Sequence, residues 1–164
     1  MLMDQSQIEN LTRQLSNQLR QCAWRICTAE SCTGGLIAKT FTDLAGSSDW
    51  FDRGFVTYSN QAKMDMLGVK ANTLQQYGAV SEQVATQMAA GALRHSEAQV
   101  AISVTGIAGP GGGSAEKPVG TVWFGFAVDE RIMSVRQQFD GDRQQVRNSS
   151  LQFAIETILH LLQK

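Results

Sequence analysis

Ser31 and Cys32 place a hydroxyl and a thiol side by side in the segment Thr28-Ala29-Glu30-Ser31-Cys32-Thr33-Gly34-Gly35. A short apolar run, Ala23-Trp24-Arg25-Ile26-Cys27, precedes them, and Leu36, Ile37, Phe41 and Leu44 follow at helical spacing. The pair therefore falls where a strand ends and a helix begins. Free backbone N–H groups and the positive end of the helix dipole converge at such a junction, and both favour anions. A serine there can be a nucleophile whose oxyanion is already supplied with donors, or it can simply cap the helix.

A serine nucleophile needs a proton acceptor. His95 falls at a helix end and His160 in the terminal helix, both far in sequence from Ser31 and both suited to surface or dipole-complementing positions. A Ser-His-Asp triad and a catalytic zinc site are therefore poorly supported. Lysine can take the proton when burial or neighbouring cations lower its pKa. Lys63 closes the polar stretch Tyr58-Ser59-Asn60-Gln61-Ala62-Lys63, just after a β-rich run. If that strand pairs parallel with the Ser31 strand, the two ends lie side by side. A lysine early in a helix can equally be a solvated charge, and spacing alone leaves both readings open. Cys32 is the rival nucleophile, because thiols are intrinsically stronger than hydroxyls. One step along a helix turns the side chain by about 100°, so Ser31 and Cys32 do not face one pocket together. Cys32 alternatively reads as a small buried hydrophobe.

Two further stretches are site-like. Val104-Thr105-Gly106-Ile107-Ala108-Gly109-Pro110-Gly111-Gly112-Gly113-Ser114 follows a buried strand-like run. Its glycines allow close backbone approach, and successive free N–H groups can cradle a phosphate or oxyanion. No Gly-Lys-Ser/Thr follows, so it is not a P-loop, and it does not open a helix as a dinucleotide fingerprint does. A loop joining two strands is the plainer alternative. Asp140-Gly141-Asp142-Arg143, with Arg147 one turn later, opens the last helix. Two arginines on one helical face can bind phosphate or carboxylate, or lie on the surface of a capped helix.

The elements that must position these groups follow from periodicity. A capping-box pattern at Ser6 and Glu9 opens an amphipathic helix through Ile8, Leu11, Leu15 and Leu19. Residues 23–29 read as a strand and 34–45 as a helix ended by Gly46. A strand is expected within Phe51 to Ser59, and a short helix over 60–68 stopped by Gly68. Ser81 caps a helix running to about His95, and residues 99–104 form a buried strand. Residues 121–128 and 133–139 suit a hairpin around Asp129-Glu130, and the last helix runs from about Asp142 to Leu162. Its apolar residues are wider than one stripe, which implies burial on two sides or a face for self-association. Alternating helices and strands with a late hairpin predict a three-layer α/β/α sandwich around a mixed, mostly parallel sheet.

At 164 residues a single domain over 1–164 is expected. Hydrophobic content of 43% against 18% charged residues excludes a disordered chain. A formal net charge of −1 without basic clusters argues against nucleic-acid binding. No apolar stretch nears the roughly 20 residues of a membrane span. No signal-peptide pattern opens the chain. Cys22, Cys27 and Cys32 are odd in number and form no CxxC, which fits reduced thiols in the cytoplasm.

The motifs Ala29-Glu30-Ser31-Cys32-Thr33-Gly34-Gly35, Ala45-Gly46-Ser47-Ser48 and Gly54-Phe55-Val56-Thr57-Tyr58-Ser59-Asn60 occur in this order along the chain. Gly78-Ala79-Val80-Ser81, Gly106-Ile107-Ala108-Gly109-Pro110, Glu116-Lys117-Pro118-Val119-Gly120-Thr121-Val122 and Gly141-Asp142-Arg143 follow them. Together they resemble the CinA C-terminal domain family, whose stand-alone members are nicotinamide mononucleotide deamidases. The resemblance spans about residues 6 to 162. It implies a dimeric α/β/α sandwich that hydrolyses the carboxamide of nicotinamide mononucleotide to nicotinic acid mononucleotide and ammonia, with no metal or other cofactor. By the same resemblance Ser31 is the nucleophile, Lys63 the general base, and Tyr58 helps to orient them. Glu30, Cys32, Thr33, Gly34, Thr105, Gly106 and Gly112 line the substrate site, and Arg143 and Arg147 supply cationic contact. Longer family members add a pyrophosphatase-type domain, for which this length leaves no room. Gly111 stands where a side chain is frequent. A nucleotide-sensing or partner-regulating module, needing only the glycine loop and the arginines, is the alternative to an enzyme.

Overall fold

The computed structural model describes residues 1–164. In chain order the elements are α1 (Gln5–Cys22), β1 (Ile26–Glu30), α2 (Leu36–Thr42), β2 (Phe51–Val56), α3 (Asn60–Leu67) and α4 (Ala71–Tyr77). Next come α5 (Glu82–Arg94), β3 (Val100–Gly106), β4 (Thr121–Val128), β5 (Arg131–Gln138) and α6 (Arg143–Leu162). The sheet order is β2-β1-β3-β4-β5. β1 lies parallel to both β2 and β3, while β4 runs antiparallel to both of its neighbours. Only β4 opposes the direction of the rest, so the sheet is the mixed, mostly parallel one expected.

Side-chain size separates the two faces. Ile26, Val100, Ile102, Val104, Phe124 and Phe126 point to one side, where Leu15, Leu19, Ile37, Phe41, Ile155 and Ile158 of α1, α2 and α6 meet them. The smaller Cys27, Ala29, Ala101 and Ala127 point to the other, against Leu67, Val84 and Met88. Small residues let α5 lie close to the sheet. A Cβ added to Gly125 would come within 2.5 Å of the Ala85 carbonyl oxygen on that helix. β1, β3 and β4 are the inner strands and are buried over nearly their whole length, as strands covered on both faces must be. The wide apolar surface of α6 is spent within the fold, on α1 and on the sheet.

Several boundaries differ from the sequence expectation. Asp4, not Ser6, caps α1. Its carboxylate accepts from the Gln7 N–H at 2.9 Å and from the Ser6 hydroxyl at 2.8 Å, while its own N–H donates to Gln7 Oε1. A carboxylate complements the helix dipole better than a hydroxyl does. β1 begins at Ile26 because Ala23 adopts φ 55 to close α1. α2 ends at Thr42, and a 3-10 turn over Ser47–Asp49 follows Gly46. No element is expected between Gly68 and Ser81, yet α4 forms there, a helix too short to show a clear period. No helix is long and apolar enough to cross a membrane.

Candidate active site

Register brings Ser31 and Lys63 together. Glu30 pairs with Val56 on β2 and with Val104 on β3, so Ser31 and Thr57 are the next residues beyond one pair of adjacent parallel strand ends. Two main-chain bonds extend this pairing past the strands: Ser31 N–H donates to the Val104 carbonyl at 3.0 Å, and Thr57 N–H to the Glu30 carbonyl at 2.9 Å. Ser59 then caps α3, its hydroxyl accepting from the Ala62 N–H. This cap aims Lys63, one turn further on, back toward β1.

Lys63 is the largest charged side chain in the interior, with 1% of its surface exposed. Its Nζ lies 3.0 Å from Ser31 Oγ, 2.8 Å from the Thr57 carbonyl and 3.3 Å from the Tyr58 carbonyl. No carboxylate pairs with it. Burial therefore pushes its pKa below the usual 10.5, the Cys32 thiol opposing this weakly. Nζ donates to both carbonyls and to Ser31 Oγ, and once a proton is lost its lone pair can take the place of the third bond and accept from the serine hydroxyl. That is the arrangement of a base poised to take the Ser31 proton.

Beyond Ser31 the chain turns sharply into α2. The N–H groups of Cys32 and Thr33 donate to no protein acceptor, while Gly34 N–H closes the turn on the Ser31 carbonyl. Gly35, at φ 97, is the N-cap and offers no side chain. An oxyanion formed beside Ser31 Oγ would thus meet two unoccupied donors and the positive end of α2. Cys32 is 6% exposed within the core on the α1/α2/α6 side. Burial pushes its thiol up to about 11, which holds it in the protonated, weakly nucleophilic form.

The remaining expected site residues divide into those near the opening and those within the walls. Glu30, Thr33 and Thr105 are fully buried with their polar atoms already engaged. Thr33 Oγ1 donates to Glu30 at 2.8 Å, and Thr105 Oγ1 donates to the Ala79 carbonyl at 2.9 Å. Gly34 and Gly112 are exposed, and Gly106 is half-buried. A Cβ at Gly106 would meet Val122 at 2.7 Å, so its role is close packing against β4. Tyr58 reaches Lys63 through its main-chain carbonyl and not its ring. Its phenol oxygen accepts from Arg143 at 3.1 Å. Arg143 also donates to the Gly109 carbonyl at 2.9 Å, bridging the β2–α3 connection to the glycine loop. Arg147 donates to the Thr33 carbonyl at 3.0 Å, and its Nε is buried without a partner. Gly111 has open space where a Cβ would be.

Sequence reasoning missed Thr57, whose carbonyl makes the shorter of the two main-chain bonds to Lys63. Main-chain acceptors leave no trace in residue type. It also missed the part played by Thr28, whose hydroxyl joins Glu30 at 3.1 Å. Two polar residues at alternate positions on one face of a buried strand were the available signal. No three His, Cys, Asp or Glu side chains come together in the manner of a metal site.

The CinA C-terminal domain family matches residues 8–162. The chain belongs to that family. Among its relatives, the nicotinamide-nucleotide amidohydrolase PncC of Enterobacter agglomerans is 58% identical over 158 residues, covering 96% of both chains. The protein of the same name from Escherichia coli K12 is 52% identical and covers 95% of each chain. Solved structures agree across the whole CinA-type fold. The Agrobacterium tumefaciens competence/damage inducible protein CihA superposes with a TM-score of 0.92 at 47% identity, covering 100% of this chain and 99% of that one. The Escherichia coli CinA superfamily protein superposes at 0.93 with 40% identity, covering 98% and 94%.

Proposed function

We propose that this CinA-family domain is a serine amidohydrolase that converts nicotinamide mononucleotide and water to nicotinic acid mononucleotide and ammonia. The observation that carries this reading is the buried, carboxylate-free Lys63 amine at 3.0 Å from Ser31 Oγ. The substrate class comes from the amidohydrolase relatives, two of which align over at least 95% of their length.

Each step has a residue to perform it. Lys63 accepts the Ser31 proton as Oγ attacks the carboxamide carbon. The resulting oxyanion is held by the N–H groups of Cys32 and Thr33. Lys63 then returns the proton to the amide nitrogen, the C–N bond breaks, and ammonia leaves an ester on Ser31. Water attacks that ester with Lys63 again as base, releasing the nicotinate and restoring the serine. The phosphate end of the substrate extends toward the glycine loop, where Gly111, Gly112 and Gly113 carry N–H groups without protein acceptors, and toward Arg143. A homodimer and a cytoplasmic location belong to the same reading.

Ammonia release from a panel of nicotinamide-bearing nucleotides tests it. Turnover of nicotinamide mononucleotide well above that of nicotinamide riboside and free nicotinamide supports the reading. Tight mononucleotide binding without any ammonia would replace it with a sensing module.

A further inference from the structure

Glu30 is the only acidic side chain with no exposed surface, and it stands immediately before Ser31. Four donors converge on its two oxygens. Oε1 accepts from the Thr33 hydroxyl at 2.8 Å and the Ile37 N–H at 2.9 Å. Oε2 accepts from the Thr28 hydroxyl at 3.1 Å and the Ala38 N–H at 2.9 Å. No lysine, arginine or histidine pairs with it. The charge is instead offset by the N-terminal end of α2, whose free N–H groups and dipole favour a carboxylate. Gly35, the formal N-cap of α2, has no side chain to do this. The capping group of the helix thus comes from the preceding strand, across the turn that holds Ser31.

We infer that Glu30 is a positioning residue for the nucleophile and not a substrate ligand, an inference that rests on the Ser31–Lys63 reading above. Its side chain clamps the Ser31–Gly35 turn through Thr33 within it and through Thr28 before and Ile37 and Ala38 beyond it. Its main-chain carbonyl meanwhile holds Thr57, whose own carbonyl holds Lys63. One residue therefore fixes the position of the serine through its side chain and of the lysine through its backbone. The same four bonds, together with the Arg147 bond to the Thr33 carbonyl, hold the turn that carries the Cys32 and Thr33 N–H groups. Loss of the clamp displaces Ser31 Oγ relative to Lys63 and to those donors, and displacement near 1 Å costs about 10²-fold in rate.

The test compares Glu30→Gln with Phe41→Leu. Glutamine keeps the size but turns an N–H₂ group toward the α2 N–H groups. Phe41 is buried in α2 away from the turn, so its truncation lowers stability alone. Three quantities are read: kcat and KM, melting temperature, and the rate at which a serine-directed fluorophosphonate labels Ser31. The inference expects Glu30→Gln to lose about 10²-fold in kcat with KM within about threefold, and the labelling rate to fall in parallel. Phe41→Leu should keep kcat within about twofold despite a comparable melting loss. If Glu30→Gln retains kcat and labelling, or shows its whole effect in KM, the inference is overturned. Should Glu30→Gln not fold, Thr28→Ser and Thr28→Val decide, because the Thr28 hydroxyl bonds Glu30 and takes no part in the chemistry. The serine variant keeps the bond to Glu30 and the wild-type kcat, while the valine variant loses kcat, and equal activity in the two overturns the inference. An inactive Ser31→Ala beside an unimpaired Glu30→Gln removes this inference alone, whereas an active Ser31→Ala removes the dyad reading with it.

Discussion

The Arg143 guanidinium donates to the Tyr58 hydroxyl at 3.1 Å, joining residues 85 positions apart, while Tyr58 contacts Lys63 only through its carbonyl oxygen. Ring and backbone of Tyr58 thus serve two different partners. The phenol is an exposed strut between the β2–α3 connection and α6, and solvent screening holds this charge-assisted bond to about 0.5–1.5 kcal/mol. Tyr58→Phe is therefore expected to lower kcat/KM by about two- to tenfold. Steady-state kinetics check this, and a loss near 10³-fold would mean that the hydroxyl takes part in the chemistry.

Lys63 gives a pH dependence with a defined sign. Its folded-state pKa lies below 10.5, the value of a free lysine, because burial disfavours the ammonium. Between those two pKa values the unfolded chain binds more protons than the folded one, so stability rises with pH across that window. Lys63→Met has no such window. Relative to that variant, the wild type should gain melting temperature as pH climbs toward 10.5. Melting curves of both proteins from pH 6 to 10.5 test this, and a wild type that loses ground to Lys63→Met as pH rises contradicts it. The wild-type kcat/KM should rise with pH with a midpoint below 10.5, as the neutral amine becomes available.

Thr57 separates main chain from side chain. Its carbonyl holds Lys63, yet its own hydroxyl is buried with no partner. Thr57→Val removes an unsatisfied polar group and keeps the carbonyl. Activity should stay within about twofold of wild type, and stability should be equal or higher by up to about 1 kcal/mol. Denaturant titration with parallel kinetics reads both, and a marked loss of kcat would mean that the hydroxyl is used in turnover.

Cys32 is held as a thiol by burial, its pKa pushed up to about 11. Cys32→Ala should therefore remain active and lose about 1 kcal/mol of stability through a lost core contact. Iodoacetamide should label the exposed Cys22 without stopping turnover. Inactivation that tracks modification of Cys32 would transfer the nucleophile's role to the thiol.

Much of this site was legible in the sequence. The junction at Ser31 follows from an apolar run, two glycines and a helical period, and the Ser59 cap and Gly68 stop bracket the helix of Lys63. The scarcity of histidine directs attention to lysine. What sequence could not supply is the register Glu30↔Val56, on which the meeting of Ser31 and Lys63 depends. That register is fixed by tertiary packing, as at Gly54, where a Cβ would lie 2.9 Å from Thr28 Oγ1 and 3.1 Å from Ala38 Cβ of α2. Glu30 was hidden for a related reason. A carboxylate in a strand next to a nucleophile looks available to substrate until the donors of the following helix are seen to occupy it.

The central claim is covalent chemistry at Ser31 with Lys63 as base. Rapid quenching of the enzyme on nicotinamide mononucleotide, followed by peptide mass spectrometry, addresses it most directly. An acyl adduct should appear on the peptide containing Ser31 in the wild type and in Cys32→Ala. Both the adduct and ammonia release should vanish in Ser31→Ala while its circular dichroism is unchanged. An adduct, or turnover near the wild-type rate, in Ser31→Ala would contradict the claim.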